Sequence, residues 1–98
     1  MTRSVVVMPA ARLDVIDAHA WYERQAPGLG AQFLGEIDVQ IARIAAAPQH
    51  FPEVLPDVRR ARLRRFPYGL FFRGESEGLF VIACFHSSRD PLIWQSRV

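Results

Sequence analysis

Lysine is absent from this 98-residue chain, and all twelve basic residues are arginine. A single cysteine, Cys84, rules out an intramolecular disulfide. It sits in the apolar run LFVIACF and reads as a small buried hydrophobe rather than a nucleophile. Three scattered histidines and that one cysteine give no metal-ligand spacing, so neither a metal nor a cofactor is expected. No apolar run reaches the length of a membrane span. The opening MTRSVVVMPAARLD carries only a four-residue apolar stretch before Pro9, too short for a secretory leader, and a cytoplasmic location is expected. Repeats, low-complexity stretches and linkers are also lacking, and the length fits one domain over 1–98.

The arginines are unevenly placed. The net charge is only +2, yet Arg59 to Arg73 carries six arginines and no acid. The acids fall mostly before residue 58 and at Glu75 and Glu77. Segregation of this kind points to an acidic partner, protein or nucleic acid. In VRRARLRRFPYG, Ala61 and Leu63 fall on one side of an extended segment, and Arg60, Arg62 and Arg64 on the other. One side can anchor to a core while the other meets an anion, and the arginine fork suits carboxylate or phosphate. Part of the row could instead pair with Glu53, Asp57 or Glu75.

The pattern predicts a strand at Val5–Met8 and a helix over Ala10–Gln25 with Leu13, Ile16 and Ala20 as its apolar side. A second helix is predicted over Gly30–Ala47, with Phe33, Leu34, Ile37, Ile41 and Ile44 inward and Glu36, Gln40 and Arg43 off that stripe. The short Ala26–Leu29 link makes the two an antiparallel hairpin. Gln49–Asp57, with Pro52 and Pro56, reads as loop. Three extended segments follow at Val58–Phe66, Tyr68–Arg73 and Leu79–His86, the last two joined by a Gly74–Gly78 turn. The last is apolar on both faces and should be central in the sheet. The class is α+β, with an αα-hairpin on one face of a mostly antiparallel four-stranded sheet.

These features resemble, over essentially the whole chain, the RelE/ParE superfamily of bacterial toxins from type II toxin–antitoxin pairs, and most closely its ParE-like, plasmid-stabilisation branch. The resemblance is carried by the Ala11–Tyr22 helix ending in WYE, by Pro27-Gly28-Leu29-Gly30, and by IARIAAAP at Ile41–Pro48. It continues through Val58-Arg59-Arg60, Phe66-Pro67-Tyr68 before LFFR, and Ala83-Cys84-Phe85-His86 ahead of Arg89-Asp90-Pro91 and Trp94. It implies the β-α-α-β-β-β order, growth arrest, and neutralisation by an antitoxin encoded in the adjacent gene. It implies inhibition of DNA gyrase for the ParE-like branch, or ribosome-dependent mRNA cleavage for the RelE-like branch. A member that binds antitoxin without being toxic is a third form. No membrane or small-molecule ligand is implied.

The candidate antitoxin- or target-binding residues are Arg59, Arg60, Arg62, Arg64, Arg65, Arg89, Trp94, Trp21 and Tyr22. Metal-free RNA cleavage needs a base, an acid and a cationic clamp. Here His86 or Glu53 would supply the first two, and Arg60, Arg62, Arg65 and Arg89 the clamp. The lysines that RelE-like nucleases tend to carry are missing, and Ser87 and Ser88 stand where an aromatic is expected. A structural role for His86, satisfied by Asp90 or a carbonyl, is the competing reading.

Overall fold

The computed structural model describes residues 3–89 and 95–97. The chain begins with strand β1 (Val5–Val7), then helix α1 (Pro9–Gln25) and helix α2 (Leu29–Ala46). A short 3-10 turn (Pro48–His50) leads to strands β2 (Glu53–Leu55), β3 (Val58–Arg62), β4 (Tyr68–Glu75) and β5 (Gly78–His86). They form a five-stranded sheet ordered β1-β5-β4-β3-β2. All neighbours are antiparallel except β1, which runs parallel to β5. The α+β class and the β-α-α-β-β-β order hold with one added strand.

The added strand lies inside the segment read as loop. Pro52 and Pro56 hide it, but they flank it rather than interrupt it. β2 is an edge strand of three residues, joined to β3 through the two-residue turn Pro56–Asp57. Asp57 takes the left-handed conformation there (φ 66°), which aspartate tolerates better than most residues. β3 stops at Arg62 instead of reaching Phe66, so 63–67 is a turn and not a strand.

α1 buries the side opposite to the one expected. Leu13 and Ile16 are 61% and 52% exposed, while Ala11, Ala18 and Tyr22 are buried. Both sets recur at helical spacing, so periodicity alone does not choose between them. The small Ala11 and Ala18 let α1 lie close on β5. Pro9 opens α1, where its missing N–H costs nothing. α2 follows its predicted stripe except at Leu34, which is 36% exposed: Phe33, Ile37 and Ile44 are buried, and Ile41 packs partly buried against the same core. Gln40, placed off the stripe by sequence, is nevertheless buried at 3% exposure.

The hairpin between the helices turns on Gly28, at φ 87°. Glu23, in the last turn of α1, accepts the Gly28 amide at 3.0 Å and the Gly30 amide at 2.9 Å. A side chain of one helix thus satisfies free N–H groups at the start of the next. His19 is half-buried, and its ring lies against Gly30.

The helices cover one face of the sheet with a core built from Phe33, Ile44, Leu70, Phe72, Leu79 and Val81. The opposite face carries a smaller cluster of Val58, Phe71, Ile82, Ala83 and Phe85. That second apolar face explains why β5 is apolar on both sides.

Candidate functional site

β3 alternates its side chains as expected. Ala61 joins the helix-side core, and Arg60 and Arg62 point to the other face with Val58. There they line a cleft of about 600 Å³ together with Arg64, Arg65, Arg89 and His86. Tyr68 and Gly69 of β4 and Phe85 of β5 also border it. Five arginines therefore meet in one place, and no carboxylate lines the cleft among the described residues.

Gly69 shapes the floor. A Cβ at that position would stand 3.2 Å from Arg60 Cγ and 3.3 Å from Cδ. The missing side chain lets the Arg60 stem lie flat across β4. Its Nε is buried there without a hydrogen-bond partner. Arg89 lies over the Phe85 ring at 4.6 Å, a cation–π contact at the cleft edge.

His86 and Tyr68 pack edge to face at 5.2 Å. The backbone N–H of Ser88 donates to His86 Nδ1 at 3.0 Å, and the Ser88 hydroxyl lies 2.7 Å from the same nitrogen. Nδ1 must then be an acceptor, which assigns the ring proton of the neutral form to Nε2. Nδ1 of His86 is therefore satisfied by Ser88; Asp90, named with a carbonyl as its expected partner, lies outside the described residues. Burial raises the pKa of the Tyr68 hydroxyl above its ordinary value, with Tyr22 and Cys84 adding to the effect. At neutral pH the cleft presents guanidinium, phenol and imidazole N–H groups, which are donors.

A second groove of about 510 Å³ adjoins the first and shares Pro67, Tyr68, His86 and Arg89 with it. Trp21, Tyr22, Asp14 and Asp17 form its helical side. Tyr22 is buried against Phe33 and Phe66, while Trp21 is 50% exposed. Among the described residues no group of His, Cys, Asp or Glu is placed to hold a metal ion.

Two predicted site residues, Arg59 and Glu53, line neither the cleft nor the adjoining groove. Arg59 points to the Ala61 side, donates to the Phe51 carbonyl and lines a different depression near Phe72 and Arg73. Glu53, opposite Arg59 on β2, is exposed and lies outside the cleft lining. Trp94 lies outside the described residues. Nor do the arginines pair with Glu53, Asp57 or Glu75. The pairs present among the described residues are Arg65 with Glu36 at 3.6 Å and Arg97 with Asp14 at 2.6 Å. Sequence reasoning passed over Tyr68, Ser88, Gly69 and Glu36. Glu36 had a usable signal, since it shares a helical spacing of four and three with Gln40 and Arg43.

No family model matches the chain, and no curated protein matches it in sequence. A solved structure does: a chain of the chromosomal ParDE TA (toxin–antitoxin) system from P. aeruginosa. It aligns over 87% of this chain and 96% of that one, with a TM-score of 0.76 and 18% identity. The two chains share one fold. At such identity the likeness is one of architecture, and the cleft has to be argued from its own residues.

Proposed function

We propose that this protein is the toxic component of a type II toxin–antitoxin pair. It acts in the cytoplasm by binding, with DNA gyrase as its target, and a cognate antitoxin from the adjacent gene neutralises it. The carrying observation is a cleft of five arginines with no carboxylate among its described lining residues, on a fold shared with a chain of a ParDE system. Such a cleft suits the carboxylates of a partner protein. The adjoining groove, with half-exposed Trp21 above Tyr22, suits an apolar side chain of the same partner.

The geometry favours binding over RNA cleavage. A nuclease would need a group free to take a proton from the ribose hydroxyl. Nδ1 of His86 is occupied by Ser88, and Glu53 stands elsewhere on the surface. Tyr68 is held in its protonated form by burial. The cleft is rich in cations and poor in bases.

Induced expression alone should arrest growth, and co-expression of the neighbouring gene should restore it. The arrested cells should show a DNA-damage response with intact mRNA, and purified protein should inhibit gyrase supercoiling. Codon-positioned mRNA cuts without DNA damage would replace this reading with the endonuclease. Normal growth would replace it with a non-toxic antitoxin-binding module.

A further inference from the structure

The turn that carries Arg64 and Arg65 is fixed to α2. Glu36 Oε1 accepts the backbone N–H of Arg64 at 2.7 Å and of Arg65 at 3.1 Å, and Oε2 reaches the Arg65 amide at 3.2 Å. One turn further along α2, the buried Gln40 donates to the Arg62 carbonyl and accepts from Arg43 Nη1 at 3.3 Å. Both ends of the 62–65 segment are therefore tied to one helix. The side chains are not consumed by this arrangement. Arg64 is exposed, and the Arg65 side chain is 80% exposed although its Nε lies 3.6 Å from Glu36.

We propose that Glu36 is a positioning residue of the arginine cleft, presetting the turn so that Arg64 and Arg65 meet an acidic peptide segment without an ordering cost. This rests on the reading of the cleft as the site of an acidic partner. Two effects of Glu36 oppose each other. Its negative charge stands beside the cations and weakens the pull on an anion. Its acceptor atoms hold two successive amides and remove the entropy of ordering the turn on binding. Ordering even one backbone residue is worth roughly tenfold in affinity, whereas the charge of this carboxylate, itself 15% exposed, acts on an Arg65 side chain that is 80% exposed and screened by solvent, a weaker effect. Positioning therefore dominates.

The opposing signs make the test. Binding of a fluorescein-labelled octaglutamate peptide is measured for the wild type, Glu36→Gln, Glu36→Asp and Glu36→Ala, with amide exchange at Arg64 and Arg65 followed in parallel. Gln keeps an acceptor and loses the charge, so Glu36→Gln should retain amide protection and bind at least as tightly as wild type. Asp keeps the charge but withdraws the acceptor by one methylene, so Glu36→Asp should lose protection and bind more weakly. Glu36→Ala should lose protection and bind about tenfold more weakly, with a thermal midpoint that is lowered but still above the temperature of the assay. Tighter binding by Glu36→Ala, in step with Glu36→Gln, would overturn the proposal, because the carboxylate would then act by charge alone. Wild-type affinity in Glu36→Asp, with its amides unprotected, would overturn it as well and remains readable should Glu36→Ala not fold. Failure of the wild type itself to bind octaglutamate would sink the acidic-partner reading and this proposal with it.

Discussion

The Arg97 guanidinium grips the Asp14 carboxylate with both terminal nitrogens, at 2.6 and 3.2 Å, across 83 positions of sequence. The pair closes a gap in the sheet. β1 follows β5 only as far as Val81, because Pro9 turns the chain into α1. Beyond that point Asp14 accepts the Cys84 amide at 3.0 Å, and Arg97 donates to the Ile82 carbonyl at 3.2 Å. Arg97 also lies over Phe85 at 5.0 Å. Side chains from α1 and the C-terminal segment thus do what a longer first strand would do.

Arg97→Ala should lower stability by about 1–3 kcal/mol, the range for losing hydrogen bonds to a charged group that stays partly buried. Urea unfolding should show a lower midpoint with an unchanged slope. Arg97→Lys should recover only part of the loss, since an ammonium cannot reproduce the two-nitrogen grip.

The helical hairpin and the last two strands were legible because their signals are local: the Phe33–Ile44 stripe, Gly28 at the turn, and the polar link at 76–77. β2 was not, because two prolines four positions apart imitate a loop, and its pairing with β3 depends on a contact outside its own residues. The inward side of α1 was misread for a related reason. Leu13 and Ile16 are larger than Ala11 and Ala18, but it is the small side chains that allow close packing on β5. In the cleft, sequence identified Arg60, Arg62, Arg64, Arg65, Arg89 and His86. It could not exclude Arg59 or Glu53, whose fate depends on strand register. Nor could it supply Ser88 as the partner of His86, since that contact depends on how the backbone turns after β5.

Acid should loosen the helical hairpin. The amides of Gly28 and then Gly30, both bonded to Glu23, hold its carboxyl pKa below the ordinary glutamate value of 4.5. A depressed folded value means that the carboxylate contributes stability above the unfolded pKa. That contribution is lost as pH falls through the lower folded value. Glu23→Gln should therefore be less stable than wild type at pH 7, with the difference closing once the pH drops below 4.5. Urea midpoints measured from pH 7 to pH 3 for both proteins give the comparison. A gap that stays constant with pH would refute the linkage.

Cys84 should be inert in the folded protein. It is 2% exposed, and burial, with Asp14 nearby, pushes its thiol pKa up to about 12. At pH 8 the thiolate fraction is then on the order of 10⁻⁴. Native protein should leave an aromatic disulfide reagent unreacted over hours, and denatured protein should release one equivalent at once. The native labelling rate should follow the global unfolding rate, because the side chain reaches solvent only when the Tyr22–Cys84 core opens.

Two glycine-to-alanine substitutions should have opposite consequences. A Cβ at Gly35 meets nothing within 4 Å, and Gly35 is inside α2 with ordinary helical backbone. Gly35→Ala should raise stability by about 0.5–1 kcal/mol through helix propensity and leave octaglutamate binding unchanged. A Cβ at Gly69 comes within 3.2 Å of the Arg60 stem. That stem must then lift by a few tenths of an ångström and carry its guanidinium off the cleft floor. Gly69→Ala should therefore weaken octaglutamate binding severalfold, by up to about 1.5 kcal/mol for one misdirected charge-assisted contact. Its unfolding midpoint should fall less than its affinity does. Arg60→Ala in the Gly69→Ala background separates the causes: the double variant should bind no more weakly than Arg60→Ala alone, since the glycine acts through that side chain. Additive losses would mean that Gly69 shapes the cleft by another route.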